Sequence, residues 1–165
     1  MTAWQGFYPA CLLYKIFRIA HTFMIEYLKL PLRFEEFFQR KKLETCSLKD
    51  SIARNLHLLI TTQLEENKQD LSYGSPFWDH EYDIHLSNDA RREIVLTSLT
   101  KQILKYEKRI ANPVVEVFVK LKEYQLSTGM QARRRIEIVI NGSLKRNDEP
   151  FSFQTGFFIG PLLFD

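Results

Sequence analysis

Between residues 47 and 64 the apolar side chains recur at helical spacing. Ile52, Leu56, Leu59, Ile60 and Leu64 fall on one face of a 3.6-residue repeat, with polar positions between them. Ahead of them, Ser47-Leu48-Lys49-Asp50 reads as a capping box: the serine oxygen takes an orphan amide, and the aspartate sits near the positive helix end. The pattern predicts a helix ending near Asn67. A second stripe follows the start signal Ser87-Asn88-Asp89. Val95, Leu96, Leu99, Ile103 and Tyr106 make it an amphipathic helix of about five turns. Pro113 forbids its continuation, and a residue before proline is biased away from helix.

Beyond Pro113 the period changes to two. Val115, Val117, Val119 and Leu121 share one face, with Glu116, Lys120 and Lys122 on the other. A turn at Ser127-Thr128-Gly129 leads to Ile136, Ile138 and Ile140, which alternate with Arg135, Glu137 and Asn141. Asn141-Gly142 and the polar stretch 145–150 are expected to break this strand before Phe151, Phe153 and Thr155 open a third. Helices followed by strands on short connections predict an α+β fold, with two or three amphipathic helices packed on a small, mainly antiparallel sheet of about three or four strands. Between the helices, "SYGSP" is turn chemistry, and "FWDHEYDIHLS" is expected to form an irregular aromatic loop.

Residues 1–29 read as an N-terminal extension and 30–165 as the folded domain. Leu12, Leu13, Ile16, Phe17, Ala20 and Met24 can line one helical face, which suits an interfacial or partner-binding helix. A loosely packed extension, or a true start at Met24, accounts for the same residues. Phe34, Phe37 and Phe38 in "KLPLRFEEFFQRKK" again fall at helical spacing.

Composition narrows the function. Charged residues at 26% and hydrophobic residues at 45% make an ordinary globular balance. A net charge of +3 is too weak to imply nucleic acid by itself. No run reaches the roughly 18 apolar residues of a membrane span, and positive charges follow the first apolar stretch instead of preceding it, unlike a signal peptide. No nucleic acid and no direct membrane insertion are expected. Cys11 and Cys46 form no CxxC pair and suit a reducing compartment, with one disulfide left open.

Several patches have the residue types of a site. His80 and His85, with Asp79, Glu81 and Asp83 around them, resemble a metal site in composition. Their spacing matches no HExxH or calcium loop, so a polar surface loop is the simpler reading. His57 beside the apolar stripe reads as a packed or rim histidine. Arg133-Arg134-Arg135 suits phosphate or an acidic protein. No phosphate-binding or nucleophile-elbow motif is present. No cofactor and no metal are expected.

Glu107 remains. A carboxyl at a helix end suits a glycosidase acid only with a second carboxylate opposite and a raised pKa. Lys105, Lys108 and Arg109 flank it and favour the ionised form. At a helix C-terminus the cations are favourable and the anion is not, so Glu107 requires a partner, either Arg109 or a residue from elsewhere.

Taken together, "SLKDSIARNLHLLITTQ", "SYG", "ILKYEKRI", "VEVFVKL" and "IEIVINGSL" resemble the GPW-type baseplate wedge family of contractile injection systems, which includes the type VI secretion baseplate subunit TssE and the phage-tail wedge protein once described as lysozyme-like. The resemblance covers roughly residues 30–155. Family members carry Glu-Pro-Arg at this helix end. Glu107 and Arg109 match it, and Lys108 stands where the family has proline. The resemblance implies a non-enzymatic structural subunit, cytoplasmic in a bacterium and assembled at a baseplate docked on the inner membrane. Its partners would be other wedge subunits and contractile sheath proteins, the latter recruited by strand addition at a sheet edge. It also implies that Glu107, Lys108, Arg109, Val115, Val117 and Ile138 serve partner binding. A peptidoglycan glycosidase using Glu107 is the alternative.

Overall fold

A computed structural model describes residues 26–126 and 129–163, apart from 82 and 84. The chain divides into two compact units, Met1–Leu48 and Lys49–Asp165. The sequence reading places a division at 29/30. In the first unit a strand β1 (Tyr27–Leu28) pairs antiparallel with β2 (Thr45–Cys46), which joins residues on both sides of that expected boundary. A short helix α1 (Phe34–Phe38) lies between them, and Lys29–Glu44 and Lys42–Glu26 ion pairs at 2.7 and 2.9 Å tie the unit's surface. The helical stripe expected over residues 12–24, with Cys11, lies outside the described residues.

The second unit is built around α2 (Leu48–Thr61), α3 (Asn88–Tyr106) and a three-stranded antiparallel sheet of β3 (Ile110–Leu126), β4 (Gly129–Leu144) and β5 (Pro150–Leu163), in the order β3-β4-β5. This is the expected α+β fold. Both helices start where the sequence places them. Ser87 caps α3, its hydroxyl oxygen accepting from the Ala90 amide at 3.1 Å. The predicted stripes are the core: Ile52, Leu56, Leu59 and Ile60 from α2, and Val95, Leu99 and Ile103 from α3, are all buried. On the sheet, Val117 stands opposite Ile138, Val119 opposite Ile136, and Ile140 opposite Phe153, so one face carries the apolar positions of all three strands.

The end of α2 departs from the prediction. It stops at Thr61, and Leu64 lies beyond it, half-buried. Trp78 Nε1 donates to the Ile60 carbonyl, and the Ser75 amide to the Thr62 carbonyl, each at 2.8 Å. A longer helix would need those acceptors for residues 64 and 66. Gly74 permits the return: its φ is +117°, and a Cβ there would lie 2.7 Å from the carbonyl oxygens of both Thr62 and Gln63. The aromatic segment after it is more ordered than expected. Pro76–His80 form a 3₁₀ turn that buries Phe77, which stacks on Phe157 of β5 with ring centroids 5.2 Å apart.

The strands are longer than their turn signals suggested. β3 begins at Ile110, before the Asn112-Pro113 break, because that break is absorbed as a bulge, with the register shifting between Ala111 and Val114. Asn112 adopts φ +48°, a left-handed conformation that asparagine tolerates. Gly142 stays inside β4 instead of ending it, and it lies against this bulge. A Cβ on it would meet Ile110 Cγ2 at 2.7 Å and the Ala111 carbonyl at 3.0 Å. Seventeen residues of β3 span roughly 55 Å, whereas the nineteen of α3 span roughly 28 Å. The sheet thus outruns its helices, and Leu121, predicted on the buried face, is 54% exposed. The Ser127-Thr128 turn lies outside the described residues.

Candidate functional site

The junction between α3 and β3 resolves the problem that Glu107 poses. Glu107 is the C-cap of α3, its amide donating to the Ile103 carbonyl at 2.9 Å. Its side chain is buried, only 3% of the residue being exposed. An anion there opposes the helix dipole, and every acceptor position on the carboxylate is met by a donor. Arg109 Nε and the Arg109 amide donate to Oε1 at 2.8 and 3.1 Å. Arg109 Nη2 and Asn55 Nδ2 of α2 donate to Oε2 at 2.6 and 2.9 Å. The guanidinium grips the carboxylate as a fork on both oxygens, the geometry in which arginine pairs most strongly.

The remaining arm of Arg109 reaches α2. Nη1 donates to Ser51 Oγ at 2.8 Å, and the Arg109 carbonyl accepts from the Lys145 amide in the β4–β5 turn at 2.9 Å. One ion pair therefore joins α2, the end of α3, the start of β3 and the β4–β5 turn. Lys108 points outward and its Nζ donates to the Leu104 carbonyl, an ordinary cation at a helix C-terminus. Glu107 has left the helical region, with φ −108° and ψ 85°.

Burial alone would push the Glu107 carboxyl up. Hydrogen bonds from Arg109 and Asn55, and the charge of Arg109, outweigh it and hold the group below the ordinary carboxylate range. A glycosidase acid requires the reverse shift and an open lone pair. The geometry fits an ionised carboxylate used as a structural tie.

The other sequence-selected residues fall into distinct places. Arg109 is half-buried with its side chain 31% exposed, Lys108 is exposed, and Val115 is half-buried. Val117 and Ile138 need correction as partner-facing residues: their side chains are 1% and 0% exposed, and Ile138 lies in the central strand, paired on both sides. Truncating Ile138 would remove core packing worth about 2–5 kcal/mol, so its effect on binding would be indistinguishable from lost stability. Ser51 and Asn55 were missed. Their signal was present as a polar i, i+4 pair beside the Ile52/Leu56 stripe, but nothing local said what they would meet.

The histidine-acid loop is organised by a cation. Arg91, 5% exposed, donates to the backbone carbonyls of His80 (2.9 Å) and Asp83. Asp79 accepts from Gln63 at 2.8 Å, and Asp83 from the His85 amide at 2.9 Å. Arg91 is thus a staple between α3 and the loop. His57 is an exposed rim residue of α2. No helix among the described residues is long and apolar enough to cross a membrane.

Comparisons with known proteins bear on this junction and its sheet. No curated protein matches the chain at a significant level. A solved structure from Geobacter sulfurreducens, described as a "putative tail lysozyme", shares the fold with a TM-score of 0.50 at 12% identity, covering 73% of this chain and 98% of that one. The sequence profile of the family described as Baseplate wedge protein gp25 matches residues 46–149, a span holding α2, α3, the Glu107–Arg109 pair and most of the sheet. By that match, this chain belongs to the gp25 baseplate wedge family.

Proposed function

We propose that the chain is a non-catalytic baseplate subunit of a bacterial contractile injection machine of the type VI secretion kind, acting on the cytoplasmic side of the inner membrane. It binds other wedge subunits and nucleates the contractile sheath by accepting a sheath strand at its sheet edge. The state of the two edges carries this reading. α3 runs against β3, and Arg92 Nε of that helix donates to the Val117 carbonyl at 3.0 Å, which occupies edge backbone on that side. β5 is hydrogen-bonded to β4 alone among the described strands, so its outer backbone is the edge suited to an incoming strand.

In the same reading Glu107 acts through Arg109. The buried carboxylate fixes the guanidinium, and the exposed rim of Arg109, with Lys108 and the half-buried Val115, faces the neighbouring subunit. The lysozyme-like alternative is disfavoured by the depressed Glu107 pKa and the full set of donors on its carboxylate.

The test is sheath assembly in cells. A strain lacking this gene is complemented with the wild type or with Ser152→Lys/Gln154→Lys, two exposed β5 positions whose replacement leaves the core untouched. Fluorescent sheath should be rare with the variant and abundant with the wild type, while the purified variant keeps its melting temperature. Sheaths of normal number and length would overturn the β5 assignment. Release of dye-labelled peptidoglycan by the wild type, lost in Glu107→Gln, would overturn the non-catalytic reading.

A further inference from the structure

The face of the sheet turned away from the helices carries a built cluster that the wedge reading does not use. Glu137 on β4 sits at its centre with its side chain 17% exposed, and three cations converge on it: Lys120 at 2.8 Å, Arg135 at 3.4 Å and Lys122 at 3.7 Å. The register adds a fourth, since Arg133 stands opposite Lys122 and alternates with Arg135 onto the same face. Four cations stand around the Glu137 carboxylate, and with Glu116 further along the same face the excess is two positive charges.

The cluster is interleaved with aromatic surface. Lys120 Nζ lies 5.6 Å from the Phe118 ring centroid, and the Arg135 guanidinium 5.5 Å from that of Phe158. Phe118 and Phe158 remain 43% and 39% exposed. Gly156 makes the second contact possible: a Cβ there would lie 3.1 Å from both Arg135 Nε and Nη2, so its absence leaves a slot across β5 for the guanidinium.

We infer that this outer face docks an acidic segment of a protein partner, whose carboxylates meet Lys120, Lys122, Arg133 and Arg135 while its apolar side chains cover Phe118 and Phe158. Charge complementarity names the occupant. A nucleic acid fits less well, because the fixed Glu137 carboxylate would stand against a phosphate chain, whereas carboxylates spaced along a peptide can pass on either side of it.

The inference is tested with purified full-length chain and a fluorescein-labelled twelve-residue peptide of alternating Glu and Leu, alongside a twelve-residue oligouridylate, by fluorescence anisotropy at low salt. The peptide should bind more tightly than the oligouridylate. Lys120→Glu/Lys122→Glu should weaken peptide binding about tenfold or more, and added salt should weaken the wild-type complex. The control Lys68→Glu/Lys101→Glu changes net charge equally at exposed positions elsewhere and should leave binding unchanged. Equal loss in the control, tighter binding of the oligouridylate, or no effect of the Lys120/Lys122 variant would each overturn the assignment. Because no sheath or wedge component enters the assay, its outcome is separate from that of the assembly experiment.

Discussion

Replacing Glu107 by glutamine separates a structural tie from a catalytic acid. The substitution keeps shape and one carbonyl oxygen, but puts an NH₂ where the carboxylate accepted from Arg109 Nη2 and Asn55 Nδ2, so donor faces donor. Breaking a buried ion pair from one side costs about 3–5 kcal/mol. Here the cation left behind has 31% of its side chain exposed and recovers some hydration, which lowers the expectation to about 2–3 kcal/mol. At roughly 2–4 °C per kcal/mol for a chain of this size, Glu107→Gln should melt about 5–10 °C below the wild type. Urea unfolding followed by circular dichroism and tryptophan fluorescence gives the free energy directly. The same substitution in an Arg109→Gln background isolates the pair, and the coupling should be about 1.5–3 kcal/mol. A Glu107→Gln protein within about 0.5 kcal/mol of wild type, or a coupling indistinguishable from zero, would refute the tie.

The same pair sets a pH dependence with a definite sign. The folded-state pKa of Glu107 is depressed below its unfolded value. The folded state therefore binds its proton less readily, and the stability it contributes is fully present above the unfolded value, near 4.3. That contribution is lost as pH falls through the lower, folded value. Glu137 and Glu149, also depressed, by hydrogen bonds from Lys120 and Lys49 respectively, act in the same direction, so the wild-type curve alone is ambiguous. The difference between wild type and Glu107→Gln is specific. It should be constant above about pH 5 and shrink below about pH 4; a gap that widens on acidification would mean that the sign is wrong.

The two glycines at close backbone approaches give sharper structural tests. Gly142→Ala should cost about 1–3 kcal/mol, because the new methyl meets Ile110 Cγ2 and the Ala111 carbonyl at the bulge. Chemical denaturation reads the loss, and Ile110→Ala, which removes the closer obstacle, should diminish the penalty. Gly74→Ala faces two backbone carbonyls and a φ of +117°. Its penalty should exceed that of Gly142→Ala in the same denaturation assay, with hydrogen exchange accelerating at the Ser75 amide as the bond to the Thr62 carbonyl is lost.

What the sequence disclosed is what local periodicity encodes. The α2 and α3 stripes, the Ser87 cap and the alternation around Ile136, Ile138 and Ile140 each depend on residues a few positions apart, and each appears in place. What it concealed depends on distant groups. The end of α2 is set by Trp78, eighteen residues beyond the carbonyl it caps. Gly142 reads as a strand breaker until the bulge at 111–114 is seen to lie against it. Glu107 is satisfied by Asn55, fifty-two positions away. Its place at the helix end marked Glu107 as needing a partner, but its burial could not be read from the flanking charges.

A three-stranded sheet has two faces and two edges, and their occupancy limits how this chain can meet others. The inner face is core, closed by Ile136, Ile138 and Ile140. The β3 edge has α3 against it and Arg92 on its backbone. Over the stretch that the helices cover, the surfaces left are the β5 edge and the outer face, and they share a strand: Phe158, which accepts the Arg135 guanidinium, belongs to β5. On the proposed reading, a strand added beside β5 would present every second side chain on that same outer face, next to Gln154, Gly156 and Phe158. A sheath strand with acidic residues at those alternate positions would satisfy backbone pairing and charge complementarity together, whereas one slipped by a single residue would turn its carboxylates away from Arg135 toward the apolar inner face. The backbone edge alone is indifferent to register, so the outer-face cations would determine which register of an incoming strand is stable.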